Sequence, residues 1–257
     1  MTAISVVLHC SASESCVPAL PTRGVLIFIQ HLPYHNLHTR RRVTLNLISE
    51  PFMTTRHSIP DTDICALILA GGRGSRLGGQ DKGLVTVAGR PVIEHLLERL
   101  RPQLETILVS ANRNHARYAA YGYPVIKDLN PDFPGPLAGI AAGFDACRSD
   151  WLLCLPVDAP LLDAHYAQRM KAAVQDCDTD AVLATLNGRP EPVFCLLHRR
   201  HQPALLDYLA GGKRAVQGWL QEIGAQAVDF SDCPEQFINL NAEQDQPGLE
   251  ARLQQQG

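Results

Sequence analysis

The sequence predicts an α/β protein with a doubly wound, mainly parallel sheet, and two observations carry that prediction. From about residue 64 onward, short apolar runs alternate with stretches whose apolar residues recur at helical spacing. The ends of the runs are also distinctive: a cluster of glycines succeeds the first, and Ser110, Asp128 and Asp158 succeed later ones. In open sheets of this kind ligands sit beyond the carboxyl ends of the strands. The polar residues therefore converge on one edge of the fold.

Residues 1 to about 60 differ from the rest of the chain. Five prolines, several histidines and the Arg40-Arg41-Arg42 run interrupt short apolar patches, and neither a helical nor a strand period is sustained. The Arg run lacks the long apolar stretch of a twin-arginine export signal, since Asn46 and Glu50-Pro51 stand in its place. The segment is expected to be a poorly ordered extension, or an upstream region translated from a misassigned start with Met53 as the natural one. A small accessory segment is the alternative. Residues 61–257 are then a single domain, which 257 residues can supply with a full core.

The first apolar run, residues 65–70, is bounded by glycines and reads as a buried strand. After the glycine loop, Pro91 opens a helix carrying Val92, Ile93, Leu96, Leu97 and Leu100 on one face. Residues 107–109 form a second strand and residues 124–126 a short third one. The small residues after Gly135 start a helix to about Cys147, and residues 151–157 form the next strand, with Asp158 at its end. A helix over about 164–174 comes next, then strands at 181–184 and 193–197 and helices near 202–209 and 214–223. A short strand pair and a helix from about residue 242 complete the chain.

Composition excludes several functions. A formal net charge of −3 gives no general attraction to nucleic acid or to an anionic membrane. No apolar run approaches the length of a bilayer span. The eight cysteines are scattered without a C-x-x-C pair, and Cys65, Cys154 and Cys195 lie in apolar runs, which predicts a reducing cytoplasm and no cysteine zinc site. No Ser/His/Asp or Cys/His arrangement is visible. His115, His165, His198 and His201 stand in polar helical settings and are expected at the surface.

The glycine loop holds Gly71, Gly72, Gly74, Gly78 and Gly79, with Arg73, Arg76 and Lys82 in or just beyond it. Glycines let backbone N–H groups approach a ligand with no Cβ in the way, and adjacent cations complete a polyphosphate site. Two familiar phosphate loops are excluded. The G-x-G-x-x-G pattern from Gly72 ends on Leu77, and neither Lys82 nor Lys213 stands in Gly-Lys-Ser/Thr. Asp158, a lone carboxylate ending an apolar strand, suits a magnesium ion that keeps waters and phosphate oxygens as its other ligands, or else caps the next helix. Asp128 is a ligand or a turn residue. Asn239 and Asn241 alternate on one side of an extended segment, to bind a ligand or to cap the last helix.

The order Leu69-Ala70-Gly71-Gly72-x-Gly-x-Arg76-Leu77-Gly78-Gly79-x-Asp81-Lys82-Gly83 resembles the signature of nucleotidyltransferases that share a glycosyltransferase-A-like fold. Within them it is most similar to the molybdenum cofactor guanylyltransferases. The resemblance continues through residues 109–113, Asp128, residues 135–139, 156–160 and 237–241. It implies that Leu69, Ala70, Gly71 and Gly72 line a guanine nucleotide, that Lys82 contacts its phosphates, and that Asp128 and Asp158 complete the GTP site. Asp158 would also hold Mg2+. Ser110 stands where the family often has Asn, so either its shorter side chain serves or Asn112 takes over.

The reaction implied is attack of the terminal phosphate of molybdenum-molybdopterin on the α-phosphorus of GTP, expelling pyrophosphate. Arg76 and Lys82 would offset charge on the leaving group and Asp158 would act through magnesium. A monomer is expected, with GTP and molybdenum-molybdopterin as substrates and molybdoenzyme maturation proteins as further partners. Two alternatives remain: a cytidylyltransferase acting on molybdopterin or on a sugar or polyol phosphate, and a non-catalytic nucleotide-binding carrier. Cofactor cytidylyltransferases tend to read Leu-Ala-Ala-Gly where this chain has Leu69-Ala70-Gly71-Gly72, and sugar-phosphate relatives usually place Pro where Asp81 stands.

Overall fold

A computed structural model describes residues 59–257, except 72–78, 129–134, 178, 241, 242 and 257. The expectation for the first sixty residues lies outside it, apart from Ile59 and Pro60. The strands are β1 (Ile64–Leu69), β2 (Thr86–Val87), β3 (Arg90–Pro91), β4 (Thr106–Ser110), β5 (Val125–Ile126), β6 (Trp151–Pro156), β7 (Ala181–Leu186), β8 (Arg189–His198) and β9 (Gln226–Asp229). The helices are α1 (Val92–Leu100), α2 (His115–Ala119), α3 (Pro136–Ala146), α4 (Tyr166–Cys177), α5 (Gln202–Ala210), α6 (Val216–Glu222) and α7 (Gln246–Gln256).

Seven strands form one sheet in the order β5-β4-β1-β6-β8-β7-β9, parallel except for β8. Alternation along β1 explains why it is apolar throughout. Ile64, Ala66 and Ile68 face α1 and α4, whereas Cys65 and Leu67 face α3, α5 and α6. Each fully buried Ile or Leu contributes roughly 1.5–3 kcal/mol, so a central strand has no polar position to spare. Cys65, Cys154 and Cys195 are buried as expected. On α3 small residues permit close approach: a Cβ on Gly143 would stand 2.6 Å from Leu67, and one on Gly139 would stand 2.6 Å from Leu69.

Chain order places the site. From β1 the chain steps outward to β4 and β5, then returns to the other side of β1 as β6. The switch point of the winding therefore lies between the ends of β1 and β6, where such folds open a crevice.

Several boundaries differ from expectation. Pro91 pairs in β3 and caps α1 from one residue before it. β8 begins at Arg189 rather than 193, because Asn187 and Gly188 (φ 50° and 73°) make a two-residue hairpin turn with β7. Pro190 is accommodated where β8 runs past the end of β6 and pairs only with β7, and Pro192 lies in the register shift of β8 against β7, between Glu191 and Cys195. In place of a final strand pair, the described residues show β9 alone, then a 3-10 turn (Pro234–Phe237) that seats Phe237 against Phe194 and Phe230. The last helix starts at Gln246, after a 3-10 turn (Glu243–Asp245).

Candidate active site

The carboxyl ends of β1, β4, β5 and β6 lie in register. Leu69 pairs with Ser110 and with Pro156, Ser110 pairs with Ile126, and Ala111 N donates to Ile126 O at 2.9 Å. Beyond them the chain leaves the sheet as Ala70-Gly71, Asn112, Asp128 and Asp158, so residues far apart in sequence share one edge. Gly72, Arg76 and Asn241 lie outside the described residues.

At the β1/β4 side, Asn112 Nδ2 donates to Asp128 Oδ2 at 2.6 Å, and Asp128 N donates to Asn112 Oδ1 at 3.1 Å. These two hydrogen bonds fix the Asp128 carboxylate against the amide at the crevice mouth. Gly71 borders the pair: a Cβ there would lie 3.5 Å from Asn112 Nδ2. Ser110 is placed differently. It is only 1% exposed, and a Cβ on Gly139 would come within 2.8 Å of its hydroxyl, so it packs beneath α3 while Asn112 is exposed.

At the β6 side, Lys82 Nζ lies 2.7 Å from Asp158 Oδ2, with side-chain exposures of 26% and 9%. Asp158 is a buried carboxylate at a strand end whose carbonyl accepts from Leu240 N at 3.4 Å. The segment holding Asn239 thus runs beside it, and Asn239 Oδ1 is buried without a hydrogen-bond partner among the described residues. Among those residues no group of three or more His, Cys, Asp or Glu converges on a metal position. One hard carboxylate oxygen donor fits a magnesium ion that arrives with phosphate oxygens and waters, rather than one caged by protein.

Sequence reasoning missed Asp81 as a structural hub. It is buried, accepts from the Tyr118 hydroxyl and from Asn114 Nδ2 (3.0 Å), and lies 3.5 Å from Arg113 Nε. Burial and the adjacent Asp81 push the Tyr118 hydroxyl well above its ordinary range, so it remains a donor. Glu191, on the part of β8 that rises past β6, is half-buried, and that burial pushes its carboxyl up. The histidines also need correction. His165 is exposed, but His115, His198 and His201 are half-buried. His198 ends β8 rather than a helix, edge-on to Trp151 at 4.9 Å, and burial lowers the pKa of both His198 and His201.

A glycine-bounded turn leaving the central strand β1, a carboxylate beyond β6 paired with the ammonium of Lys82 on one side of it, and an amide–carboxylate pair beyond β4 and β5 on the other fit a nucleotide crevice, and the sequence profile of the MobA-like NTP transferase domain matches residues 66–227. A protein of Polynucleobacter asymbioticus named molybdenum cofactor guanylyltransferase is 41% identical over 199 residues, 76% of this chain and 100% of that one. One of the same name from Vibrio cholerae is 41% identical over 196 residues, 75% of this chain and 96% of that one. The chain belongs to the MobA-like NTP transferase family. The fold agrees with the crystal structure of molybdopterin-guanine dinucleotide biosynthesis protein A from Archaeoglobus fulgidus, at a TM-score of 0.63 and 21% identity over 74% of this chain and 98% of that one. Among the described residues no helix is long and apolar enough to cross a membrane.

Proposed function

We propose that this enzyme transfers GMP from GTP to molybdenum-molybdopterin, forming the guanine dinucleotide of the cofactor and releasing pyrophosphate. The observation that carries the reading is the grouping of Gly71, Asn112, Asp128, Lys82 and Asp158 along one carboxyl edge of the sheet, on both sides of β1, in a chain so similar to relatives of that name over their full length. Leu69, Ala70, Gly71 and Gly72 line the nucleotide. The Asn112–Asp128 pair meets the base, since guanine offers adjacent N–H donors to a carboxylate. Asn112 takes the place of the family asparagine, because Ser110 is packed under α3.

In the reaction an oxygen of the terminal phosphate of molybdopterin bonds to the α-phosphorus of GTP in line. The bond from that phosphorus to the oxygen bridging to the β-phosphorus breaks, and pyrophosphate leaves with the electron pair. The nucleophile is already ionised, so positioning and charge neutralisation supply most of the acceleration and no side-chain base is required. Lys82 exchanges part of its contact with Asp158 for the triphosphate, and Arg76 offsets charge on the departing pyrophosphate. Asp158 would hold a magnesium ion, which would supply charge neutralisation to the triphosphate. The protein acts as a monomer in the cytoplasm and passes its product to molybdoenzyme maturation proteins.

Pyrophosphate release measured with GTP, CTP and ATP, with and without molybdenum-molybdopterin, tests this reading. Release with GTP that depends on molybdopterin is expected. Release with CTP alone would instead identify a cytidylyltransferase, and nucleotide binding without release would identify a carrier.

A further inference from the structure

The chain on both sides of Lys82 is held by contacts that the transfer reaction does not use. On the N-terminal side, Arg113 Nη1 donates to Gly79 O at 2.9 Å and Arg113 Nη2 to Gln80 O at 3.0 Å, while its Nε lies 3.5 Å from Asp81 Oδ2. Asp81 Oδ1 accepts from the buried Tyr118 hydroxyl, and Asp81 Oδ2 accepts from Asn114 Nδ2 at 3.0 Å. One guanidinium therefore grips two backbone carbonyls and approaches the carboxylate that comes after them. On the C-terminal side, a Cβ on Gly83 would stand 2.5 Å from Val157 Cγ2 and 2.7 Å from the Tyr118 hydroxyl. Gly83 is thus pressed between the β6 exit and α2. Between these two fixed points Lys82 reaches Asp158 at 2.7 Å.

A lysine acts as a point charge on a flexible four-carbon stem, so its reach depends on where its Cα is anchored. A buried carboxylate with a hydroxyl, an amide and a guanidinium as partners contributes little net stability, but it fixes the geometry of the groups around it. The partners of Asp81 also come from a meaningful place. Arg113, Asn114 and Tyr118 lie just after Asn112 in the chain, and Asn112 holds Asp128 on the base side.

We propose that Asp81 is a positioning residue: gripped by Arg113, Asn114 and Tyr118, it anchors the exit of the glycine loop so that Lys82 meets the triphosphate in register with the base held at Asn112 and Asp128. The inference rests on the transferase reading for its substrate and goes beyond it in giving the 113–118 segment a task. That segment is a bracket linking the base and phosphate ends of the crevice.

A double-mutant cycle on the full chain tests it. Asp81→Asn is expected to lower kcat/KM by about 10- to 100-fold, the scale of a small displacement at a reacting centre. In a Lys82→Ala background the same substitution is expected to cost less than about 3-fold, because the group it positions is gone. An equal cost in both backgrounds, or full activity in Asp81→Asn, would overturn the proposal. The cycle is run with whichever nucleotide the wild type turns over, so a wrong base assignment leaves it intact. A wild type that releases no pyrophosphate from any nucleotide overturns the transferase reading and the inference with it. If thermal unfolding shows that Asp81→Asn does not fold, Tyr118→Phe removes only the hydroxyl bond to Asp81, and the same non-additivity with Lys82→Ala is expected of it.

Discussion

Replacing Asp158 or Lys82 with Ala removes one partner of the ion pair at the crevice and, in the proposed reaction, a charge that faces the triphosphate. Each variant should lose at least about 10²-fold in turnover, the scale of deleting one preorganised electrostatic group, while circular dichroism shows an unchanged fold. Near-normal pyrophosphate release in either would remove that residue from the site. Gly71→Ala makes a sharper test of base choice. Its Cβ would lie 3.5 Å from Asn112 Nδ2, an ordinary contact, so the fold should tolerate it while the methyl narrows the base end. The ratio of kcat/KM for GTP to that for CTP is expected to fall by about tenfold, a loss typical of one methyl-sized change in a pocket. An unchanged ratio would detach Gly71 from base selection. Much of this site was legible in the sequence, because strand-end carboxylates and glycines announce themselves. Ser110 was ambiguous only until the alternation along β4 was counted: Leu108 faces α3, so Ser110 two residues on faces it too. Asp81 was not legible as a hub, since its buried partner Tyr118 is 37 residues away and nothing in the local pattern joins them.

The elements that hold these residues depend on close packing, and Gly83 is where that packing is tightest against the site. Gly83→Ala would force a methyl to within 2.5 Å of Val157 and 2.7 Å of the Tyr118 hydroxyl. Overpacking of this kind costs about 1–3 kcal/mol, which thermal unfolding would register as a lowered Tm. An unshifted Tm would mean that the β6 exit and α2 yield easily and that Lys82 is not held fixed by them. At this scale the sequence was strongest for β1, β4 and β6, whose apolar runs carry bounds within a residue or two of the structure. It was weakest for β8. Asn187-Gly188 is a strong hairpin signal, yet Pro190 and Pro192 argue against a strand just after it. Pro190 is tolerated because that part of β8 lacks β6 as a neighbour, and Pro192 because it falls in a register shift against β7, facts of sheet pairing rather than of local sequence.

Over the whole molecule, the sheet order converts a linear pattern into a site by returning the chain to the far side of β1 as β6. Alternating strands and helices made the doubly wound class legible, whereas the single antiparallel strand depended on pairing that periodicity does not encode. The core reaches back to Ile59, and Asp61 pairs with Lys171 at 2.5 Å, so a chain beginning at Met53 retains every described contact. Such a chain is expected to fold and to keep wild-type kcat/KM, and a loss beyond about tenfold would assign a role to the residues before it. The central claim is that this crevice joins GMP, in preference to other nucleotides, to the phosphate of molybdopterin. It is tested most directly by giving the enzyme equimolar GTP and CTP with magnesium and molybdenum-molybdopterin and identifying the dinucleotide by mass. The guanine dinucleotide should dominate the product; a cytosine dinucleotide as the main product would contradict the account.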